Sequence, residues 1–277
     1  MTRAGCRRSR PVAATALSSL LLALVLGGCS STPAEEPTAG PRPSIARACA
    51  GVARGTVSTR HLTSAATRRR EPYVIYQPPG TTTGSRLRLL VLLHGASADV
   101  TQWLDVGVAS TADCMGGRGE GDRTLIVLVD GSGVEHDRRG APAPTERLVV
   151  DEILPAVRAR YPHLEGRAGT GIGGISLGGG WAFEIAAHHP DLFSAVGGHS
   201  PTVALSAAEV ETLARHDVRV WIDVGTSDPL RPRADREAAQ LRAAHVATMT
   251  AHWVGAHDRR YWSQHVADYL RFYDRAW

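Results

Sequence analysis

The chain carries the pentapeptide Gly174-Ile175-Ser176-Leu177-Gly178 inside the glycine-rich run GTGIGGISLGGGWAF. A serine with glycine two residues before and two after is the pattern of a strand that turns abruptly into a helix. The serine sits at the apex in a strained conformation, where larger flanking side chains would collide. Such a turn exposes the hydroxyl and sets the backbone N–H of Leu177 at the start of the helix. Other uses of a glycine loop fit less well. A Walker loop needs Gly-Lys-Ser/Thr, and the chain has no lysine. A dinucleotide fingerprint starting at Gly171 needs a third glycine at position 176, which is the serine.

A serine hydroxyl is a weak nucleophile at neutral pH and needs a histidine base steadied by a carboxylate. In the α/β-hydrolases, whose nucleophile turn this motif resembles, the chain order is serine, acid, histidine, each on a loop after a strand. Asp217 precedes its strand and Asp223 lies within it. Asp228, in GTSDPLRP, falls just past it and is the candidate acid, with a turn-capping role before Pro229 as the other reading. Among the later histidines, His245 ends a helix, His252 lies in a strand and His265 lies in a helix. His257, in VGAHDRRYW, directly follows a strand and is the candidate base, with Asp258 as a helix cap. The negative tetrahedral intermediate also needs two N–H donors, and losing one costs on the order of 3 kcal/mol. Leu177 supplies one. The other is expected from LLHGASAD, through Gly95 or Ala96, with His94 shaping that loop by bonding backbone.

These positions presuppose strands over residues 73–79, 87–95, 124–131, 168–175, 218–225 and 247–255. Helices are expected over 145–161, from Ser176 to Pro190, over 234–244 and over 261–273. Runs such as LRLLVLLHG are those of strands buried on both faces. Their alternation with helices implies an α/β fold with a mostly parallel central sheet covered on both faces. Ligands in such sheets bind at the carboxyl ends of strands. Residues 46–70 read as loop or a first edge strand. Trp103, Trp181, Tyr261 and Trp262 are candidates for a pocket wall, with helix packing as the other reading for Trp181 and Trp262.

The formal net charge of +4 is local. Arg3, Arg7, Arg8 and Arg10 stand in the first 28 residues with no acid, and the remainder is balanced. A neutral body has no global electrostatic reason to bind nucleic acid. The apolar stretch 12–26 is too short for a comfortable membrane span and reads as a secretory signal. Its end, Leu26-Gly27-Gly28-Cys29, resembles the bacterial lipobox, in which the cysteine is lipidated; an ordinary signal with a chance cysteine is the alternative. Residues 30–43, rich in proline, serine and threonine, read as a tether. The organisation expected is a signal over 1–28, a tether and N-terminal segment over 29–65, and a catalytic domain over 66–277. In an oxidising compartment Cys49 and Cys114 are either bridged or two separate buried thiols.

The motifs LLHGASAD, EILPAVRARYP, GISLGGGWAFEIAAHHPDLFSAVGGHSP, IDVGTSDPLRP and GAHDRRYWSQHVADYLRFY, in that order, resemble the esterase D-like branch of the α/β-hydrolases. That group includes feruloyl, acetylxylan and siderophore esterases and the mycolyltransferases. The resemblance covers residues 73–273. It implies the α/β-hydrolase fold and serine hydrolysis of carboxylic esters without a metal or other cofactor. It also implies Ser176, Asp228 and His257 as nucleophile, acid and base. One departure is LVDG (residues 128–131), where the family usually has proline before Asp130. The expectation is an exported serine esterase held at the outer face of the cytoplasmic membrane by lipid on Cys29. Its substrate would be a small-molecule, glycan or lipid ester. An acyltransferase and a non-catalytic surface protein are the alternatives, and the complete triad argues against the second.

Overall fold

The leucine and valine runs form the middle of a single sheet. The computed structural model describes residues 49–121, 123–131 and 144–276. The signal segment, Cys29 and the tether over 30–43 lie outside them. Among the described residues eight strands are ordered β1-β2-β4-β3-β5-β6-β7-β8. They are β1 (Thr56–Thr63), β2 (Arg70–Gln77), β3 (Arg88–Leu93), β4 (Thr124–Val129), β5 (Thr170–Ile175), β6 (Ala195–His199), β7 (Arg219–Gly225) and β8 (Thr248–Trp253). β1–β2 and β2–β4 pair antiparallel at one edge, and the other five pairings are parallel.

Every residue of β4 and β5 is buried, as continuous apolar or glycine runs require when helices cover both faces. One face packs against Pro144–Arg147 (α3), a π-helical turn at Leu148–Ile153, Leu154–Arg160 (α4), Leu177–His188 (α5), Ala207–Arg215 (α6) and Arg231–Ala243 (α7). The other packs against Gln102–Asp105 (α1), Val108–Gly116 (α2) and Arg259–Ala276 (α8). Each fully buried large side chain, such as Phe183 or Leu90, contributes roughly 1.5–3 kcal/mol.

The structure corrects the sequence expectation in several places. Of the two readings of residues 46–70, the edge strand is the one observed: Thr56–Thr63 pairs along its whole length with β2. β6 has the sequence AVGGH, whose two glycines and short length hide it from any periodicity argument. α6 opens with a capping box formed by Ser206 and Glu209, a signal present in the sequence as SAAE. Trp103 and Tyr261 lie in the core, each 1% exposed.

Candidate active site

The link from β5 to α5 is the sharp turn that the glycines allow. Ser176 has φ 53° and ψ −115°, a conformation an L side chain rarely adopts. A Cβ at Gly174 would collide with the backbone of Gly178, and one at Gly178 with the carbonyl of His94. The turn is held from outside by the segment after β6. Ser176 donates its N–H to the His199 carbonyl at 2.9 Å, and Thr202 donates its N–H to the Ser176 carbonyl at 3.0 Å.

Asp228 and His257 stand on the loops after β7 and β8 and meet the serine. His257 Nε2 lies 3.0 Å from Ser176 Oγ, and His257 Nδ1 lies 2.9 Å from Asp228 Oδ2. The other oxygen of Asp228 accepts the Leu230 N–H at 2.8 Å. The capping and pairing readings of Asp228 are therefore compatible, one per oxygen. The Asp228 side chain is fully buried. Burial alone would raise its pKa, but the hydrogen bonds from His257 and the Leu230 N–H hold the carboxyl below its ordinary range. Asp258 caps α8, accepting the Tyr261 N–H at 2.9 Å.

Leu177 opens α5 directly after the serine. In the loop after β3 the two candidate donors part. The Gly95 N–H goes to Gln102 Oε1 at 2.8 Å, so of the two candidates Gly95 is already engaged. The loop runs close to the serine: a Cβ on Gly95 would lie 3.3 Å from Ser176 Cβ. His94 shapes it, with Nδ1 2.7 Å from the Gly95 carbonyl and Nε2 accepting the Gly131 N–H at 3.0 Å.

Sequence reasoning missed the support around this site. Asp223, set aside as the acid, is fully buried beneath it. Its Oδ1 accepts from His199 Nδ1 at 2.7 Å and from Trp221 Nε1 at 2.8 Å. Its Oδ2 accepts the hydroxyls of Tyr261 at 2.9 Å and Tyr269 at 3.1 Å. Burial and the Asp223 charge push both phenols up, so they stay protonated as donors. An aspartate in the apolar strand RVWIDVG was a signal that donors must converge on it. Apart from Trp221 on the same strand, their identity was not legible, because they come from β6 and α8. Trp262 packs within α8 and also stands edge-on to His257, ring centroids 5.1 Å apart. Away from the site, Cys49 and Cys114 are joined in a disulfide, with Cα atoms 5.2 Å apart.

A family model described as "Putative esterase" matches residues 64–273. Among curated proteins the chain is similar to "Putative esterase NocK" of Nocardia uniformis subsp. tsuyamanensis, 27% identical over 245 residues. The match covers 80% of this chain and 66% of the relative, so the chain spans just under two thirds of that protein's length. Among solved structures it is similar to a ferulic acid esterase, with TM-score 0.71, 22% identity, 81% of this chain covered and 100% of that one. A ferulic acid esterase of Anaeromyces mucronatus gives TM-score 0.69 at 17% identity, covering 82% and 93%. An S-formylglutathione hydrolase of Staphylococcus aureus gives 0.66 at 15%, covering 79% and 98%. At these identities the likeness shows the fold, which is that of an α/β-hydrolase.

Proposed function

Because this chain belongs to the "Putative esterase" family, we propose that it is a serine hydrolase that cleaves carboxylic esters through an acyl-enzyme on Ser176. The observation that carries this reading is the unbroken hydrogen-bonded chain from Ser176 Oγ through His257 to Asp228. Ser176 Oγ attacks the ester carbonyl while His257 Nε2 takes its proton. Asp228 fixes the ring through Nδ1 and stabilises the imidazolium. The N–H groups of Leu177 and Ala96 receive the developing oxyanion. His257 then protonates the departing alcohol, and the same ring activates the water that releases the acyl group.

The lipobox-like sequence Leu26–Cys29 supports a further proposal, that the chain is exported and anchored at the outer face of the cytoplasmic membrane by lipid on Cys29. Metabolic labelling with a fatty acid tests it: label lost in Cys29→Ser is expected, and label retained overturns it. The hydrolase reading is tested on an ester panel from acetyl to long acyl, with Ser176→Ala as control. Ser176→Ala is expected to abolish turnover and fluorophosphonate labelling. Equal turnover by both proteins sinks the assignment.

A further inference from the structure

We propose that Asp223 is a positioning residue for the proposed triad, its one buried carboxylate tying the turn of Ser176 to the loop of His257. The inference rests on the serine-hydrolase reading of the same site. Asp223 lies near the end of β7 and is fully buried. A carboxylate out of water needs donors, and two meet each of its oxygens. His199 Nδ1 and the Trp221 indole N–H meet Oδ1, and the Tyr261 and Tyr269 hydroxyls meet Oδ2. Stability alone gives little reason for a charge here, since an apolar residue of similar volume serves a core as well. What the carboxylate adds is a fixed place for each donor.

One arm of the arrangement runs to the nucleophile. His199 ends β6, and its carbonyl accepts the Ser176 N–H at 2.9 Å. Its ring is held by Asp223 and lies stacked on Tyr269, with centroids 3.7 Å apart. The other arm runs to the base. Tyr261 stands in the first turn of α8, just past His257. Its hydroxyl reaches Asp223 at 2.9 Å, and its N–H goes to Asp258, the neighbour of His257, at 2.9 Å. Its ring closes on Gly255, where a Cβ would lie 2.6 Å from Tyr261 Cδ2. The Gly255 carbonyl in turn accepts the N–H of Ser227, next to Asp228, at 2.9 Å. Tyr261 therefore fixes the loops of both base and acid, and Asp223 fixes Tyr261. Tyr269 donates to the same carboxylate oxygen from further along α8.

The two tyrosines separate positioning from stability. Tyr261→Phe and Tyr269→Phe each remove one hydroxyl from the same oxygen and keep the ring, so both should lower Tm. Only Tyr261→Phe frees the loop of His257. Its kcat on p-nitrophenyl acetate should fall about tenfold with KM within about twofold, because a small misplacement of the base is felt in the transition state. Its rate of fluorophosphonate labelling should fall in step. Tyr269→Phe, assayed at the same temperature well below both midpoints, should keep kcat within about twofold of the parent. Asp223→Asn loosens both arms and should lose more, about a hundredfold; where it fails to fold, the tyrosine pair decides. A parent-like kcat in Tyr261→Phe overturns the proposal, as does an equal loss of kcat in the two tyrosine variants. Ser176→Ala in the same assay keeps the two readings apart. If it turns over like the parent, the hydrolase reading falls and takes this one with it. If it is dead while Tyr261→Phe is parent-like, only the role of Asp223 is lost.

Discussion

Ser176 and Ser200 are adjacent loop residues in space, each with φ slightly above +50°. Strain of this kind costs roughly 1–3 kcal/mol per residue and persists only where the surroundings over-determine it. Here the surroundings are backbone bonds to His199, Thr202 and Asp223. Asp228 completes the arrangement, and its chemistry and its stability contribution can be read separately. Asp228→Asn should lower kcat by about a thousandfold to ten-thousandfold, through loss of the charge that stabilises the imidazolium. Steady-state turnover of an aryl ester checks this; a loss under tenfold would remove Asp228 from the acid's role. The folded-state pKa of Asp228 is depressed, so its ionised form stabilises the fold above the unfolded-state value. That contribution is lost as pH falls through the depressed folded value. Urea titrations of parent and Asp228→Asn should therefore differ most near neutrality. The pH-dependent part of the difference should vanish only below the ordinary carboxylate range. A gap that is flat with pH would contradict the depressed pKa.

At the scale of elements, the loop after β3 owes its shape to α1. Gln102 sits at the start of that helix and takes the Gly95 N–H, which fixes the loop that runs past Ser176 and carries Ala96. Gln102→Leu leaves that N–H without its acceptor and loosens the loop. A fall in kcat of about tenfold to a hundredfold is expected, up to the cost of one oxyanion donor, with KM little changed. A purely KM effect would instead make Gln102 a substrate-binding residue. The same loop marks the limit of what the sequence discloses. Ser176, Asp228 and His257 were legible because strand ends and chain order fix where such residues must stand. The central strands were legible because burial on both faces writes itself as a continuous apolar run. The choice between Gly95 and Ala96 was not, because it turns on a side chain from the following helix. β6 was hidden by Gly197, where a Cβ would collide with the Tyr273 side chain, and Gly198, where it would collide with Phe183 and Pro201. The cluster on Asp223 joins residues 199, 221, 261 and 269, three of which are neighbours only in the fold.

Across the whole domain, the proposed chemistry and the covalent cross-link occupy opposite ends of the parallel strands. Ser176, Asp228 and His257 follow the carboxyl ends of β5, β7 and β8. The disulfide lies near the amino ends, where residues 50–53 meet Pro78–Gly80 and Arg123 around a cleft. Cys114 is in the last turn of α2, and beside it Asp113 accepts the Gly55 N–H at 2.7 Å and the Tyr76 hydroxyl at 2.8 Å. The bridge spans a sequence separation of 65 and so removes much loop-closure freedom from the unfolded chain. Its loss should cost about 4 kcal/mol, on the chain-entropy account of a loop this long. The Asp113 bonds remain to hold the N-terminal segment in place, and the triad is fixed by contacts at the other end of the sheet. Cys114→Ser, or the parent under reductant, should therefore melt at lower temperature. It should keep the parent's kcat/KM wherever it is folded. Thermal melts with and without reductant, paired with turnover well below both midpoints, measure the two effects independently. An unchanged Tm would show that the bridge does not constrain the chain. A fall in kcat/KM at low temperature would show that the two ends of the sheet are coupled, and that the N-terminal segment helps to hold the site.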